Sequence, residues 1–324
     1  MSVTQSIKRP LVVLTGPTAA GKTKLSIALA KAIGGEILSA DSMQVYKHMD
    51  IGSAKIRPEE MQGVPHHLID ILEPWEEFNV VVFQKRCLEC MEQIYDRGHI
   101  PILVGGTGFY IQAVLRGIDF TENEENTEYR EKMEQLAKEK GPEVLHDMLR
   151  KIDPVSADNI HANNIKRTIR ALEYYELTGE PISAHNEREK ERTSPYNFSY
   201  FVLTDDREKL YARIEARIDE MLSEGLVEEV KQLKEMGCHR GMVSMQGLGY
   251  KEILEYLEGE CGLEDAVYTL KRDTRHFAKR QLTWFRREKE VTWLDKQQFD
   301  YDEEKILEYM IKELGEKGIY EKQQ

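Results

Sequence analysis

Apolar residues along this chain fall into two rhythms. Leu11–Thr15 is an unbroken apolar, β-branched run that stops at Gly16, the pattern of a strand buried on both faces. Thr23–Ile33 follows with helical composition and is stopped by Gly34-Gly35. Glu36–Ala40 predicts a second strand ending at Asp41. Phe83–Arg97 predicts a helix closed by Gly98, and Ile100–Val104 a third strand ending in Gly105-Gly106-Thr107-Gly108. Strand and helix alternating this way imply right-handed βαβ units and a parallel sheet. Ligands bind such sheets beyond the carboxyl ends of the strands, where Gly16, Asp41 and Gly105–Thr107 all fall.

Past residue 120 the rhythm changes. Residues 121–192 are rich in Glu, Lys, Asn and Gln, with helical periodicity and no convincing strand. They predict a helical insertion, bounded by polar stretches near Thr121–Thr127 and Thr193–Pro195. The expected division is residues 1–120 with 196–324 as an α/β core and 121–195 as the insertion. Tyr200–Thr204 returns as a strand. Glu208–Met236 predicts one long amphipathic helix through Leu210, Ile214, Met221 and Val230. Leu263–Arg286 predicts another, with an apolar stripe through Val267, Leu270 and Phe277. Val291–Leu294 and Glu303–Leu314 predict a last strand and a terminal helix.

Composition narrows the class. The 324 residues are 40% hydrophobic and 32% charged, as in a soluble globular protein. No stretch nears the roughly 18 apolar residues that cross a bilayer. The polar start lacks a leader's apolar segment, so the expected location is cytoplasmic, without membrane association. Cys87 and Cys90 form a lone CxxC inside a predicted helix and are expected to be helix residues, not zinc ligands. The adjacent His66 and His67 would diverge from any common metal ion and are expected to be structural or to line a substrate channel.

The net charge of −13 argues against a polyanionic partner until its distribution is considered. Between Lys271 and Lys289 there are eight Lys/Arg and two acids, a local net of +6. Lys271, Arg275 and Lys279 form one helical stripe, with Arg272, His276 and Arg280 beside it. Such an excess is costly without a polyanion, and an RNA backbone accounts for it better than a merely solvated face. Trp284 and Phe285 either stack on a base or anchor the helix, and anchoring is the default.

The chemistry-bearing motif is Gly16-Pro17-Thr18-Ala19-Ala20-Gly21-Lys22-Thr23, which fits G-x-x-x-x-G-K-[ST] throughout. Glycines let successive N–H groups turn inward on phosphate oxygens, and the following helix adds its positive end. Lys22 supplies a charge, and the Thr23 hydroxyl can ligate Mg²⁺. No aspartate ends the Ile100–Val104 strand as in many nucleotide hydrolases, and no NKxD signature is present. Asp41 is the carboxylate best placed to face the phosphates. It can hold magnesium or accept a proton, and it equally suits a capping or turn role in Asp-Ser.

These segments together resemble the bacterial tRNA dimethylallyltransferase (isopentenyl-tRNA transferase) family. The resemblance runs in order through GPTAAGKT (16–23), SADSMQVYKHMDIGSAK (39–55), PHHLID (65–70), LVGGTGFY (103–110), KRTIRALE (166–173), RIEARIDEML (213–222), LGYKE (248–252) and TRHFAKRQLTWFR (274–286). It implies a P-loop NTPase-like parallel sheet flanked by helices, with a helical insertion domain. It also implies transfer of a dimethylallyl group from dimethylallyl diphosphate to the exocyclic amine of the adenosine 3′ to the anticodon, assisted by Mg²⁺.

In that family pattern Gly16 to Thr23 hold the diphosphate of the prenyl donor, and Asp41 matches the general base. Thr18, Lys22, Thr23 and Arg217 match residues that handle the leaving diphosphate; Arg213 shares the face of Arg217. Metal would sit at Thr23 with Asp41. Asp41, Ser42, Met43, Gln44, Thr107, Lys166, Arg167, Arg170, Gln246, Gly247, Leu248, Gly249, Tyr250, Lys251, Lys279, Arg280, Gln281 and Arg286 match tRNA-contacting segments. The insertion is expected to close on the anticodon stem-loop through Lys166, Arg167 and Arg170, in a monomer. Two departures stand out: Ala20 where relatives often carry Ser, and Asn164-Ile165-Lys166-Arg167 where they often carry Asp-x-Gln-Arg. The second puts the base-reading role of Lys166 in doubt. A small-molecule kinase, a nucleotide-controlled switch and prenyl transfer to free adenine nucleotides are the competing readings. The insertion and the basic helix favour RNA over a free nucleotide.

Overall fold

The computed structural model describes residues 8–120 and 127–321, with the backbone alone at Thr127 and Lys190. The insertion boundary expected near Thr121–Thr127 therefore lies almost wholly outside the described residues. The chain divides into two compact units, one reaching Leu115 and resuming at Pro195, the other Arg116–Ser194.

In the first unit the predicted rhythm is realised as β1 (Arg9–Thr15), α1 (Lys22–Ile33), β2 (Gly35–Ala40), β3 (His66–His67), α2 (Val80–Asp96), β4 (Ile100–Gly105) and α3 (Gly108–Leu115). Among the described residues of the second unit are the helices α4 (Thr127–Lys140), α5 (Pro142–Ile152), α6 (Pro154–Asn159), α7 (Ile165–Thr178) and α8 (Ile182–Glu191). The first unit resumes with β5 (Tyr196–Thr204), α9 (Arg207–Glu224), α10 (Leu226–Glu235), α11 (Tyr250–Leu257), α12 (Leu263–Phe285), β6 (Val291–Asp295) and α13 (Glu303–Glu316).

Among the described residues the strands form one sheet in the order β3-β2-β4-β1-β5-β6, every pairing parallel. This is a P-loop α/β fold, with the glycine-rich turn between the first strand and first helix. Central β1 pairs on both sides, Val12 lying opposite Ile102 and Ser199. Leu11, Val12, Val13 and Leu14 are all fully buried, which is why this run is apolar without alternation. Truncating Leu14 to Ala would cost about 2–5 kcal/mol. Among the described residues, no helix is long and apolar enough to cross a membrane.

The second unit has its own core, in which Met133, Leu145, Leu149, Ile169 and Leu172 pack together. Buried Asp153 organises it by accepting from the Ser156 and Ser183 N–H groups at 2.9 and 3.0 Å and from the Ser156 hydroxyl at 2.7 Å.

Several expectations are corrected. The single helix expected over Glu208–Met236 is two, α9 and α10, broken at Gly225 with φ +106°. A continuous amphipathic pattern does not register one glycine that leaves the helical region. The buried line of α12 runs through Ala266, Leu270, Ala278, Gln281 and Phe285; Val267 and Phe277 flank it half-buried. α2 begins three residues before Phe83, because Asn79 caps it by accepting from the Val81 and Val82 N–H groups. The two-residue β3, too short for any periodicity, extends the sheet at His66 and His67. Those histidines do point apart. His66 Nδ1 meets the Val64 carbonyl, and His67 Nε2 meets buried Glu36, which also receives Arg97 and His99.

Candidate functional site

The tips of β1, β2 and β4 lie side by side, and their residues can approach closely because side chains are missing where they meet. Gly16 has φ +148°, and a Cβ there would sit 2.3 Å from the Leu203 carbonyl oxygen. A Cβ on Gly105 would lie 2.3 Å from the Ala40 oxygen, and one on Gly106 2.2 Å from Gln281 Nε2. Thr15 Oγ donates to the Gly105 carbonyl at 2.7 Å, and the Thr107 N–H to the Ala40 carbonyl at 3.3 Å. The three segments expected at the strand ends are thus brought together.

The loop from Gly16 to Thr23 curls through positive φ at Ala19 (60°) and Gly21 (93°). Pro17 and Ala20 are buried, Thr18 and Ala19 half-buried, and Gly21 and Thr23 exposed. The methyl of Ala20 joins the apolar core under α1. Lys22 folds back over the loop, donating from Nζ to the Gly16 and Pro17 carbonyls at 3.0 and 2.8 Å. Burial, then the nearby Arg217 charge, push the Lys22 ammonium down to about 8, with Asp41 opposing. Burial lowers Arg217 from its ordinary value, again opposed by Asp41. Among the described residues Arg217 forms no hydrogen bond or ion pair, so its guanidinium is uncommitted. Lys22, Arg217 and Asp41 therefore share one electrostatic environment, an excess of positive charge suited to a diphosphate.

Asp41 realises its capping role with one oxygen only. Its Oδ1 accepts from the Met43 N–H at 2.8 Å and the Gln44 N–H at 3.4 Å, while among the described residues Oδ2 accepts no hydrogen bond. Ser42, Met43 and Gln44 are half-buried. Gln44 is spent inside the protein, accepting from the Ser39 hydroxyl at 2.9 Å and donating to the Ser53 and Ala54 carbonyls at 3.4 and 3.3 Å.

Gln246 to Lys251 pack onto this same loop. A Cβ on Gly247 would lie 2.6 Å from Met43 Sδ, and one on Gly52 2.6 Å from the Tyr250 ring. Gln246 and Lys251 are exposed and Leu248 half-exposed, whereas Gly247, Gly249 and Tyr250 are buried. The resemblance would put all six on RNA. The structure gives an outward face only to Gln246, Leu248 and Lys251, because Tyr250, fully buried, fills the space beneath the 50–53 turn.

Gln281 also faces inward. It is 6% exposed, accepts from the Thr18 N–H at 2.9 Å and donates to the Gly106 carbonyl at 3.0 Å. Its amide ties the phosphate loop to the β4 tip and is not presented outward. Trp284 packs edge-on against Phe109 at 6.2 Å and covers Gly108, and Phe285 is fully buried; both anchor α12.

The basic stripes of α12 divide. Lys271 pairs with Asp219 at 2.6 Å and Arg275 with Glu215 at 2.5 Å, both acids of α9, and Arg272 pairs with Asp273 at 2.8 Å. The missing counter-charges are supplied by a different helix, which a count along α12 cannot register. Lys279, Arg280 and Arg286 remain exposed. His276, Lys279, Arg280, Thr283, Trp284 and Arg287 line an open cavity of about 490 Å³. In the second unit, Lys166, Arg167 and Arg170 project from the exposed face of α7, whose buried face is Thr168, Ile169, Ala171 and Leu172.

Sequence reasoning gave no role to two further cations at the loop. Arg213 Nε donates to the Ala19 carbonyl at 3.0 Å, while its Nη1 pairs with Asp205 at 2.7 Å. Lys296 Nζ lies 2.8 Å from where a Cβ of Gly21 would be, and burial, with Arg213 second, lowers its pKa. Arg213 opens the RIEARIDEML segment and Lys296 has no local motif; both come from elements that meet the loop only in the fold.

Among the described residues no group of three or more His, Cys, Asp or Glu could hold a metal ion. That donor set still fits Mg²⁺, which takes one or two protein oxygens and completes its shell with phosphate oxygens and water. The exposed Thr23 hydroxyl and Asp41 Oδ2 are oxygens of that kind.

Comparison with known proteins gives a consistent result. The family model described as IPP transferase matches residues 44–288, and that described as isopentenyl transferase matches residues 10–71. The tRNA dimethylallyltransferase of Lachnoclostridium phytofermentans is 64% identical over 311 residues, covering 96% of this chain and 99% of its own. The crystal structure of the full-length tRNA isopentenylpyrophosphate transferase of Bacillus halodurans matches with TM-score 0.72 and 47% identity, over 96% of this chain and 98% of that one. A eukaryotic dimethylallyltransferase, described as acting on tRNA, matches with TM-score 0.74 and 32% identity, over 89% of this chain and 74% of its own.

Proposed function

This chain belongs to the IPP transferase family of tRNA dimethylallyltransferases, and from that premise we propose how its own residues carry out prenyl transfer to tRNA. The donor is dimethylallyl diphosphate, and the acceptor is the N6 amine of the adenosine 3′-adjacent to the anticodon. The bond between the prenyl C1 and its diphosphate oxygen breaks with both electrons leaving on oxygen. The N6 lone pair forms the new C–N bond, and the N6 proton passes to Asp41. The products are N6-isopentenyladenosine in tRNA and diphosphate.

The observation that carries this reading is the shared environment of Lys22, Arg217 and Asp41 beside the loop Gly16–Thr23. The inward N–H groups, Thr18, Lys22 and Arg217 stabilise the charge that develops on departing diphosphate. Mg²⁺, which the Thr23 hydroxyl would hold together with diphosphate oxygens and water, would supply further charge neutralisation. An exocyclic amine is a weak nucleophile, and a carboxylate that takes its proton makes attack productive. The target base reaches such a pocket by leaving its stack, at modest cost in a single-stranded loop. The anticodon stem-loop is held on the first unit by the exposed Lys279, Arg280, Arg286, Gln246 and Lys251; Lys166, Arg167 and Arg170 give the insertion an exposed basic face of its own for RNA. The protein acts as a monomer, in the cytoplasm where tRNA is modified.

The test incubates the purified protein with labelled dimethylallyl diphosphate and an unmodified anticodon stem-loop RNA. Label should enter RNA, and Asp41→Asn should slow its entry about 10²–10⁴-fold with the fold intact. Phosphate release from ATP without RNA labelling would instead favour the kinase reading.

A further inference from the structure

The turn after Asp41 is held by one carboxylate from a distant helix. Glu229, in the first turn of α10, accepts three consecutive backbone N–H groups: Asp50 at 2.9 Å, Ile51 at 2.7 Å and Gly52 at 3.0 Å. Three aligned amides around one anion form a nest, a strong charge-assisted arrangement. The Tyr250 hydroxyl donates to the same carboxylate at 2.8 Å and accepts from the Ser53 N–H at 3.1 Å. Burial, and Glu229 beside it, hold the Tyr250 phenol well above its ordinary range, so it stays a donor. Gly52 is needed here, since any side chain would enter the Tyr250 ring.

The clamp reaches the reaction centre through covalent and hydrogen-bonded links. The next residues, Ser53 and Ala54, receive the Gln44 side chain through their carbonyls. Gln44 N–H and Met43 N–H in turn fix Asp41 Oδ1, leaving Oδ2 without a hydrogen bond among the described residues. Met43 rests on Gly247, three residues before Tyr250. Four consecutive backbone donors, Asp50 to Ser53, are thus satisfied by two side chains whose sequence distance from them is nearly two hundred residues.

We infer that Glu229 and Tyr250 are positioning residues for prenyl transfer: they lock the 41–54 turn so that Asp41 Oδ2 is aimed at the substrate amine. The inference rests on Asp41 being the base. It separates two halves of the reaction: the clamp orients the proton acceptor and leaves diphosphate binding alone, because neither residue touches the loop Gly16–Thr23.

The experiment uses the full-length protein with dimethylallyl diphosphate and anticodon stem-loop RNA. Glu229→Gln and Tyr250→Phe are compared alone and combined with Asp41→Asn, under single-turnover conditions and by amide hydrogen exchange. Glu229→Gln should slow transfer about 10–100-fold, the scale of a small misplacement of a catalytic group. The KM for dimethylallyl diphosphate should stay within about twofold. Tyr250→Phe, which removes one hydroxyl and keeps the packing, should slow transfer less and decides the matter should Glu229→Gln fold poorly. Exchange should quicken at residues 42–54 and stay unchanged in β1 and β4. Because the clamp acts through Asp41, adding either substitution to Asp41→Asn should slow it no further. Multiplying effects, or unchanged exchange in the turn, would overturn the inference. A wild-type rate for Asp41→Asn would remove its premise instead, and the two failures are distinct because a failed clamp leaves Asp41→Asn slow.

Discussion

The cradle at 16–23 and the turn at 41–54 sit at the tips of β1 and β2, on either side of β4, yet are built by opposite means. The cradle is largely a local object. Its strand, its positive-φ positions, its lysine latched on Gly16 and Pro17 and its helix all follow within some twenty residues. The turn holding Asp41 is a tertiary object, shaped by Glu229, Tyr250 and Gly247. The contrast teaches that anion binding can be carried by a portable loop, whereas aiming one carboxylate oxygen takes contacts from across the chain.

Four measurements would break or sharpen this contrast. The largest effect is expected at the centre of the cradle. Lys22→Met should lower kcat/KM for dimethylallyl diphosphate about 10²–10³-fold, the scale of losing one preorganised donor. The same change should raise the melting temperature of the ligand-free protein at pH 7. The sign follows from Lys22 lying near 8 in the folded protein and 10.5 in its ordinary range. The unfolded chain binds the extra proton between those values, so the charged lysine weighs against folding below about pH 8, and that cost fades as pH rises toward 10.5.

The next test asks how local the cradle is. Gln281→Leu strands the Thr18 N–H and the Gly106 carbonyl, each costing about 1–3 kcal/mol when buried without a partner. Denaturant unfolding should show the loss, and pyrophosphate affinity should fall with it. Full affinity in a destabilised Gln281→Leu protein would mean the loop keeps its shape unaided. A third measurement follows from the lysine's titration. Pyrophosphate affinity should fall by up to about tenfold per pH unit above pH 8, with proton uptake on binding, because the charged form is the one that binds. A flat profile to pH 9.5 would remove Lys22 from the cradle.

The smallest effect separates the two faces of α12. Lys279→Ala and Arg280→Ala should each reduce the salt slope of RNA affinity by about 0.7–1. Lys271→Ala and Arg275→Ala should leave the slope unchanged and cost less than about 1 kcal/mol of stability, since their partners are Asp219 and Glu215.

What could be read from the residues alone follows the same division. β1 and β4 were legible as nearly continuous apolar runs and β2 as a short Ile37-Leu38 segment, and their ends were marked by Gly16, Asp41 and Gly105. α3 was not, because Gly108–Leu115 is apolar nearly all round and carries no period. The break at Gly225 hid inside a pattern that continued past it, and α11, eight residues long, fell between the two predicted helices where no element was assigned. Tyr250 and Gln281 carried the chemistry of contact residues, and only the fold reveals that both face inward. Glu229 reads as any surface glutamate at the start of a helix, since what distinguishes it is a turn far away in the chain. The counter-charges on α9 escaped for the same reason.

The position of β1 at the middle of the sheet has a consequence for synthesis. On emergence it can be covered on one side by β4, its neighbour through Val12 and Ile102, but its other side must wait for Tyr196–Thr204. Between β4 and β5 the ribosome adds the entire helical insertion, a delay of roughly five to twenty seconds at ordinary elongation rates. Throughout that interval an apolar strand of the nascent polypeptide shows an open hydrogen-bonding rim, the sort of rim on which chains aggregate. Slowing translation across the insertion would lengthen that exposure.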